Sequence, residues 1–108
     1  MTTLLILNHD GMGHGDPELG RRLVKTFLQK AQRLRDLDAI ALYNAGVKLV
    51  AADSPVLGEL VQLEEGGVDL IPCGTCCEAH GVTPAVGVVQ GMDDIVAAMD
   101  AAAKVVSL

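Results

Sequence analysis

The sequence predicts a single α/β domain of three layers, with helices on both faces of a mainly parallel sheet of about five strands. Three observations lead there. Short apolar runs alternate along the chain with stretches of helical periodicity, a pattern that calls for strands joined by right-handed crossovers. The 108 residues suit one domain, residues 1–108, and 50% of them are hydrophobic, enough for a packed core. That core is aliphatic, since Phe27 and Tyr43 are the only aromatics and 12 glycines supply the turns.

The elements follow in order. Thr3–Asn8 reads as a strand on the run Leu4-Leu5-Ile6-Leu7. The turn Gly11-Met12-Gly13-His14-Gly15 leads to Asp16, a helix N-cap followed by Pro17 at the first position and Glu18 in the first turn. Leu19, Leu23, Phe27, Ala31 and Leu34 recur as one helix face. Ala39–Tyr43 is the second strand, broken by Asn44-Ala45-Gly46, and Val47–Val50 extends it or starts a loop. Ser54-Pro55 repeats the cap-then-proline signal, Leu57, Leu60, Val61 and Glu64 continue as a helix, and Gly66-Gly67 stops it. Val68–Ile71 is the third strand, with one short helical turn at Glu78–His80. Val86–Val89 reads as a fourth strand. A helix with the face Ile95, Val96, Met99 and Ala102 and a fifth strand, Lys104–Leu108, close the chain.

Charge and hydropathy narrow the function. A net charge of −6 disfavours nucleic acid as a partner. The basic cluster Arg21, Arg22, Lys25, Lys30, Arg33 and Arg35 falls on one helix and reads as a solvated face. No apolar stretch approaches the ~20 residues of a membrane span, and no secretory signal is visible. An odd number of clustered cysteines is a poor disulfide framework, so a reducing cytoplasm is expected.

Every cysteine lies in Cys73-Gly74-Thr75-Cys76-Cys77, at the end of the third strand. Three kinds of chemistry are open to this run. A thiol at a strand-to-helix junction can be activated for sulfur chemistry. Cys73 and Cys76 form a Cys-x-x-Cys pair able to close a redox disulfide, although Pro72 stands where thioredoxins usually carry Trp. Cys73, Cys76, Cys77 and His80 are four donors for a metal, crowded for a zinc site. A lone cysteine would read as a small core residue; three together favour function.

The loops are less decisive. The glycine-rich loop is neither Gly-x-Gly-x-x-Gly nor a P-loop, and Asp10 and Asp16 would repel an anion, so a tight turn is the simpler reading and no cofactor is expected. His9 and His14 sit there as potential acids or bases, or simply as exposed side chains. His80 has the same two readings, and Lys48 is the one cation of the second-strand loop. In parallel sheets ligands bind outside the carboxyl ends of the strands. Asn8–Asp16, Asn44–Lys48 and the cysteines are therefore expected to converge at that edge.

Several segments resemble the DsrE/DsrF-like sulfur-relay family, in particular the DsrE-like C-terminal domain of the selenium-metabolism protein YedF. They are Gly15-Asp16-Pro17-Glu18-Leu19-Gly20, Tyr43-Asn44-Ala45-Gly46-Val47-Lys48-Leu49, Ile71-Pro72-Cys73-Gly74-Thr75-Cys76, Val86-Gly87 and Met92-Asp93-Asp94-Ile95-Val96. The resemblance implies the three-layer fold, assembly as dimers or larger homo-oligomers, and a cysteine after the third strand that carries a persulfide between proteins. Cys73 occupies that position. Family members usually have an apolar residue where this chain has Cys77, and an aromatic near Ala79–His80. The small N-terminal TusA-like domain of the YedF type is not read in these residues, and such a carrier is expected as a separate partner.

The sequence reading is thus a sulfurtransferase or persulfide carrier, with Cys73 and Cys76 as its catalytic thiols. Gly74 and Thr75 are expected to offer amides to the anion, and Asn44, Lys48, His14 and Cys77 to complete the binding site. The alternatives are a ligand-binding or redox-sensing module of the same fold, and a Cys-x-x-Cys dithiol or metal protein.

Overall fold

Thr3–Leu7 forms β1, buried at every position, because it lies in the middle of the sheet with helices on both sides. A computed structural model describes residues 2–108. The other strands are β2 (Leu37–Leu42), β3 (Asp69–Pro72) and β4 (Lys104–Ser107), in the order β3-β2-β1-β4. All three pairings are parallel: Leu4–Leu7 face Ala39–Leu42, Ala39–Leu42 face Asp69–Pro72, and Thr3–Ile6 face Lys104–Ser107. The helices are α1 (Pro17–Lys30), α2 (Leu57–Glu65), α3 (Gly74–His80) and α4 (Met92–Ala101). The expected three-layer α/β/α architecture is present, with four strands in its sheet rather than five.

Val86–Val89, expected as a strand, is not one. Gly87 has φ +84°, which breaks the extended path, and its amide donates to the Glu64 carboxylate of α2 (2.9 Å). The segment still covers the outer edge of β3. Val88 N–H donates to Leu70 O (3.2 Å) and Gln90 N–H to Pro72 O (3.0 Å). The exposed edge of β3 is thereby closed to further strand pairing.

α1 starts as expected: Asp16 Oδ1 accepts from Glu18 N–H (3.0 Å), with Pro17 next to it. Its buried face is offset by one residue from the expected stripe. Gly20, Val24, Leu28 and then Ala31 are buried, while Leu19 and Leu23 remain 46% and 44% exposed. Close packing of the first turn explains the offset. Met12 N–H donates to Gly20 O (3.0 Å), and a β-carbon on Gly20 would approach Met12 O at 3.2 Å. Glycine lets that loop lie so near without displacement, which suits position 20 turned inward and position 19 out.

In α4, Ile95 is fully buried while Val96 is 55% exposed, so the inner face is Ile95, Ala98, Met99 and Ala102. Asp94 accepts the Gly91 amide (3.2 Å) at the start of this helix. Val47–Val50 belongs to a 3₁₀ segment, Asn44–Val50, in which Val47, Leu49 and Val50 are core residues. The cysteine run forms nearly all of α3 rather than preceding one short turn, with Cys73 as N-cap and Gly81, at φ +64°, as C-cap.

The steps β1→β2→β3 run one way across the sheet, and β3→β4 returns past β2 and β1. Right-handed crossovers therefore place α1 and α2 on one face and α4 on the other. Lys25 Nζ of α1 lies 3.6 Å from Glu59 Oε2 of α2, in keeping with a shared face. Among the described residues, no helix is long and apolar enough to cross a membrane.

Candidate functional site

This topology makes a crevice at one place. The chain leaves β2 toward one face of the sheet and leaves the adjacent β3 toward the other, so their carboxyl ends part. Asn44 stands on one lip and the cysteines on the other. The three predicted loops do lie at this carboxyl edge, since every strand is parallel.

The β2 lip is held by close backbone contacts. Tyr43 N–H donates to Leu7 O (3.2 Å), and Gly46 N–H to Tyr43 O (3.0 Å). A β-carbon on Gly46 would collide with the Leu7 carbonyl oxygen, so this turn admits only glycine. Asn44 takes the left-handed conformation at φ 49°, which Asn tolerates better than most residues. Its Oδ1 accepts from His80 Nε2 (3.0 Å), and its backbone N–H donates to the Cys76 sulfur. Cys76 and His80 are one helical turn apart on the same face of α3, about 5–6 Å between β-carbons, so a single residue on the β2 lip meets both.

On the β3 lip, Cys73 N–H continues the ladder to Leu42 O (2.9 Å). Cys73 is 3% exposed, Cys76 is half-buried, and Cys77 is 5% exposed inside the hydrophobic core. All three are free thiols. Burial first, then a hydrogen bond with Cys73, pushes the Cys76 thiol pKa up, while the Asn44 amide pulls it partly back. The proton therefore stays on Cys76, which donates it toward the Cys73 sulfur. Burial also raises the Cys77 thiol pKa, with the two neighbouring sulfurs adding to the effect. Cys77 thus sits where an apolar residue would pack.

Gly74 does not offer its amide to an anion as expected. Its N–H donates to Gln90 O (2.9 Å), and a β-carbon there would meet Val89 Cγ1 at 3.0 Å. Gly74 is small because the 86–90 segment packs on it. The first helical bond of α3 is Cys77 N–H to Cys73 O (3.0 Å), so the Thr75 amide has no acceptor within the helix. The Cys73 side chain makes no capping hydrogen bond. Cys76 faces the Cys73 sulfur as a donor.

Lys48 is exposed on the 3₁₀ segment and lines a groove of ≈ 590 Å³ together with His80, Arg21 and Asp53. No thiol lines that groove; His80 is the α3 residue in its wall. His14 is exposed in the β1–α1 loop and is not part of the groove wall. His9 is engaged locally: Gly11 N–H donates to its Nδ1 (3.1 Å), and Asp10 lies 3.1 Å from the same atom. Among the described residues no three His, Cys, Asp or Glu side chains are grouped to hold a metal ion, which leaves the four-donor reading of Cys73, Cys76, Cys77 and His80 without a ligand set.

The fold is shared with known structures along the full chain. One is a protein of unknown function, MTH1491 from Methanobacterium thermoautotrophicum, with a TM-score of 0.72 and 18% identity over 99% of this chain and 98% of that one. The ychN protein from E. coli matches with a TM-score of 0.72 and 18% identity over 100% of both chains. BT1422 from Bacteroides thetaiotaomicron, a conserved protein of unknown function, matches with a TM-score of 0.71 and 20% identity over 99% of this chain and 94% of that one. No family model and no curated protein sequence matches the chain. At these identities the likeness concerns the fold.

Sequence reading missed two features of the site. The Asn44–His80 bridge was foreshadowed only by the spacing of Cys76 and His80. Arg21 belongs to a cluster that reads as a solvated helix face, and nothing in the sequence places it beside Lys48.

Proposed function

We propose that this protein carries sulfur as a persulfide on Cys73, in the manner of the DsrE/DsrF-like sulfur-relay family. The observation that carries the reading is the contact between the Cys73 and Cys76 sulfurs at the crevice between β2 and β3. The fold shared with the three structures and the place of Cys73 after the third strand support it.

In loading, the Cys73 thiolate attacks the terminal sulfur of a donor persulfide, R–S–SH. A sulfur–sulfur bond forms on Cys73, the donor's bond breaks, and the donor leaves as thiolate. The Cys76 S–H donates to the attacking sulfur, the part that backbone amides were expected to play. Burial of Cys73 then shields the persulfide from solvent and oxidants. Release as sulfide uses the pair: Cys76 passes its proton to the terminal sulfur and attacks the inner one, Cys73 and Cys76 become a disulfide, and hydrosulfide departs with that proton. A separate TusA-like carrier as donor, a homo-oligomeric state and a cytoplasmic setting complete the proposal.

Incubation with a persulfide donor followed by peptide mass spectrometry tests it. An increase of about 32 Da on the Cys73 peptide is expected, one sulfur on the thiol. Cys73→Ser should abolish it and Cys76→Ser should retain it. An undiminished adduct in Cys73→Ser overturns the assignment.

The same contact supports a second reading, a dithiol that senses redox state without carrying sulfur. A Cys73–Cys76 disulfide formed by mild oxidant in a protein that takes up no sulfur would decide for it.

A further inference from the structure

The groove of ≈ 590 Å³ has His80 in its wall, one helical turn along α3 from Cys76. Its size suits a small molecule. Its charges are mixed, and most of them are unengaged. Arg21 and Lys48 line it, and the side chain of neither makes an ion pair or hydrogen bond among the described residues. Asp53 lines it on the same terms, while Asp10 lies beside His9. Two cations and two carboxylates, Asp53 and Asp10, around one cavity match neither a simple anion nor an apolar ligand. They match a zwitterion with carboxylates and an ammonium group.

We infer that this groove receives a small zwitterionic thiol, of the amino-acid or short-peptide class, which accepts sulfur from Cys76. The inference rests on the persulfide reading of Cys73. Cys73 is 3% exposed and absent from the groove wall, whereas Cys76 faces its sulfur and is half-buried one helical turn from His80, which is in that wall. Cys76 passes its proton to the terminal sulfur of the Cys73 persulfide anion and, as thiolate, attacks that sulfur, so that Cys76 holds the persulfide and Cys73 leaves as thiolate. The acceptor thiolate then attacks the same terminal sulfur, forming R–S–SH and returning Cys76 as thiolate. One sulfur moves twice, each step makes and breaks one sulfur–sulfur bond, and no external oxidant or reductant is consumed. Arg21 and Lys48 hold the acceptor's carboxylates and Asp53 its ammonium group.

S-methylglutathione, which has the charges of such a thiol but cannot react, is the probe. Calorimetric titration of the wild-type protein should show saturable binding, weakened about tenfold in Arg21→Ala and in Lys48→Ala and partly recovered in Lys48→Arg. The N-acetylated probe should bind less tightly to wild type and equally to Asp53→Asn. No saturable binding, or binding indifferent to both cation variants, overturns the inference. Thiosulfate binding as tightly as the probe at Arg21 and Lys48 would also overturn it in favour of a simple anion site. The Cys73 adduct, measured on the same preparation, separates the two readings. An adduct without probe binding removes the groove's role alone, and probe binding without an adduct removes the carrier role. With reduced glutathione, Cys76→Ser should load Cys73 but transfer no sulfur; undiminished transfer would remove Cys76 from the path.

Discussion

His80 Nε2 donates to Asn44 Oδ1 across 3.0 Å, joining the end of α3 to the loop that leaves β2. This side-chain bond spans the crevice directly beside Cys76, whose sulfur takes the Asn44 backbone amide. Asn44 therefore holds the lip by its side chain and the thiol by its backbone, in a left-handed conformation that presents both to α3.

Asn44→Gly separates the two roles. Glycine keeps the positive φ and the amide but removes the bond to His80. Cys73 and Cys76 should then alkylate several-fold faster with iodoacetamide, with little change in the urea midpoint. Asn44→Ala should show the same exposure and lose about 1 kcal/mol of stability, because alanine lacks the polar side chain that lets Asn tolerate φ 49°. Wild-type alkylation rates in Asn44→Gly would show that the bridge does not hold the crevice closed.

The thiols predict a pH dependence of definite sign. Burial raises the Cys76 thiol pKa, and the hydrogen bond and charge of Cys73 raise it further. Only the Cys73 contributions disappear in Cys73→Ala. The Cys76 alkylation profile should therefore move to lower pH in that variant, while remaining above an ordinary thiol if burial persists. A profile displaced upward or unmoved would contradict the donor role given to the Cys76 S–H.

Strands were legible where apolar runs were continuous, because a strand buried on both faces leaves no alternative pattern: β1 and β2 fall within one or two residues of expectation. Val86–Val89 has the same composition, yet Gly87 at φ +84° and its bond to Glu64 prevent the strand, and neither is written in hydropathy. The α1 stripe was displaced by the contact of Gly20 with Met12, a backbone approach that a search for apolar periodicity passes over. For the site, Cys73 at a strand end and Asn44 and Lys48 on a neighbouring loop were readable from order alone. The bridge to His80 and the engagement of the Gly74 amide depend on how two loops meet, which spacing along one chain does not encode.

Two glycines should respond oppositely to alanine. At Gly46 a methyl group would collide with the Leu7 carbonyl oxygen, and backbone cannot swing aside as a side chain can. Gly46→Ala should lose about 3 kcal/mol or more, or fail to accumulate as soluble protein. Gly58 lies in α2 with open space around its β-position, so Gly58→Ala should gain about 0.5–1 kcal/mol from helix propensity. Thermal melts of both measure the contrast, and a Gly46→Ala protein as stable as wild type would refute the close approach.

Glu59 gives the α1–α2 contact an acid limb. Burial acts to raise its carboxyl pKa, but the Gln29 amide at 3.3 Å, its own backbone amide and Lys25 at 3.6 Å outweigh this and leave it lowered. A folded pKa below the unfolded one means a contribution complete above the unfolded value and lost as pH falls through the folded value. Glu59→Gln should therefore be less stable than wild type near neutrality and converge with it in acid. Parallel curves from neutral to acid pH would show that Glu59 adds nothing to that slope.

Cys77 separates packing from chemistry within the thiol run. It is 5% exposed in the core, where its raised thiol pKa disfavours the thiolate. If it serves as a small apolar residue, shape and polarity should decide its replacements. Cys77→Val should stay within about 1.5 kcal/mol of wild type, whereas Cys77→Ser, burying a hydroxyl, should lose about 1–3 kcal/mol unless a partner is found. Denaturant midpoints give the order, and native alkylation should leave Cys77 unmodified after Cys76 has reacted. A serine variant as stable as the valine variant would show that the position is open to water, and with it that the third thiol is available for the chemistry assigned to its neighbours.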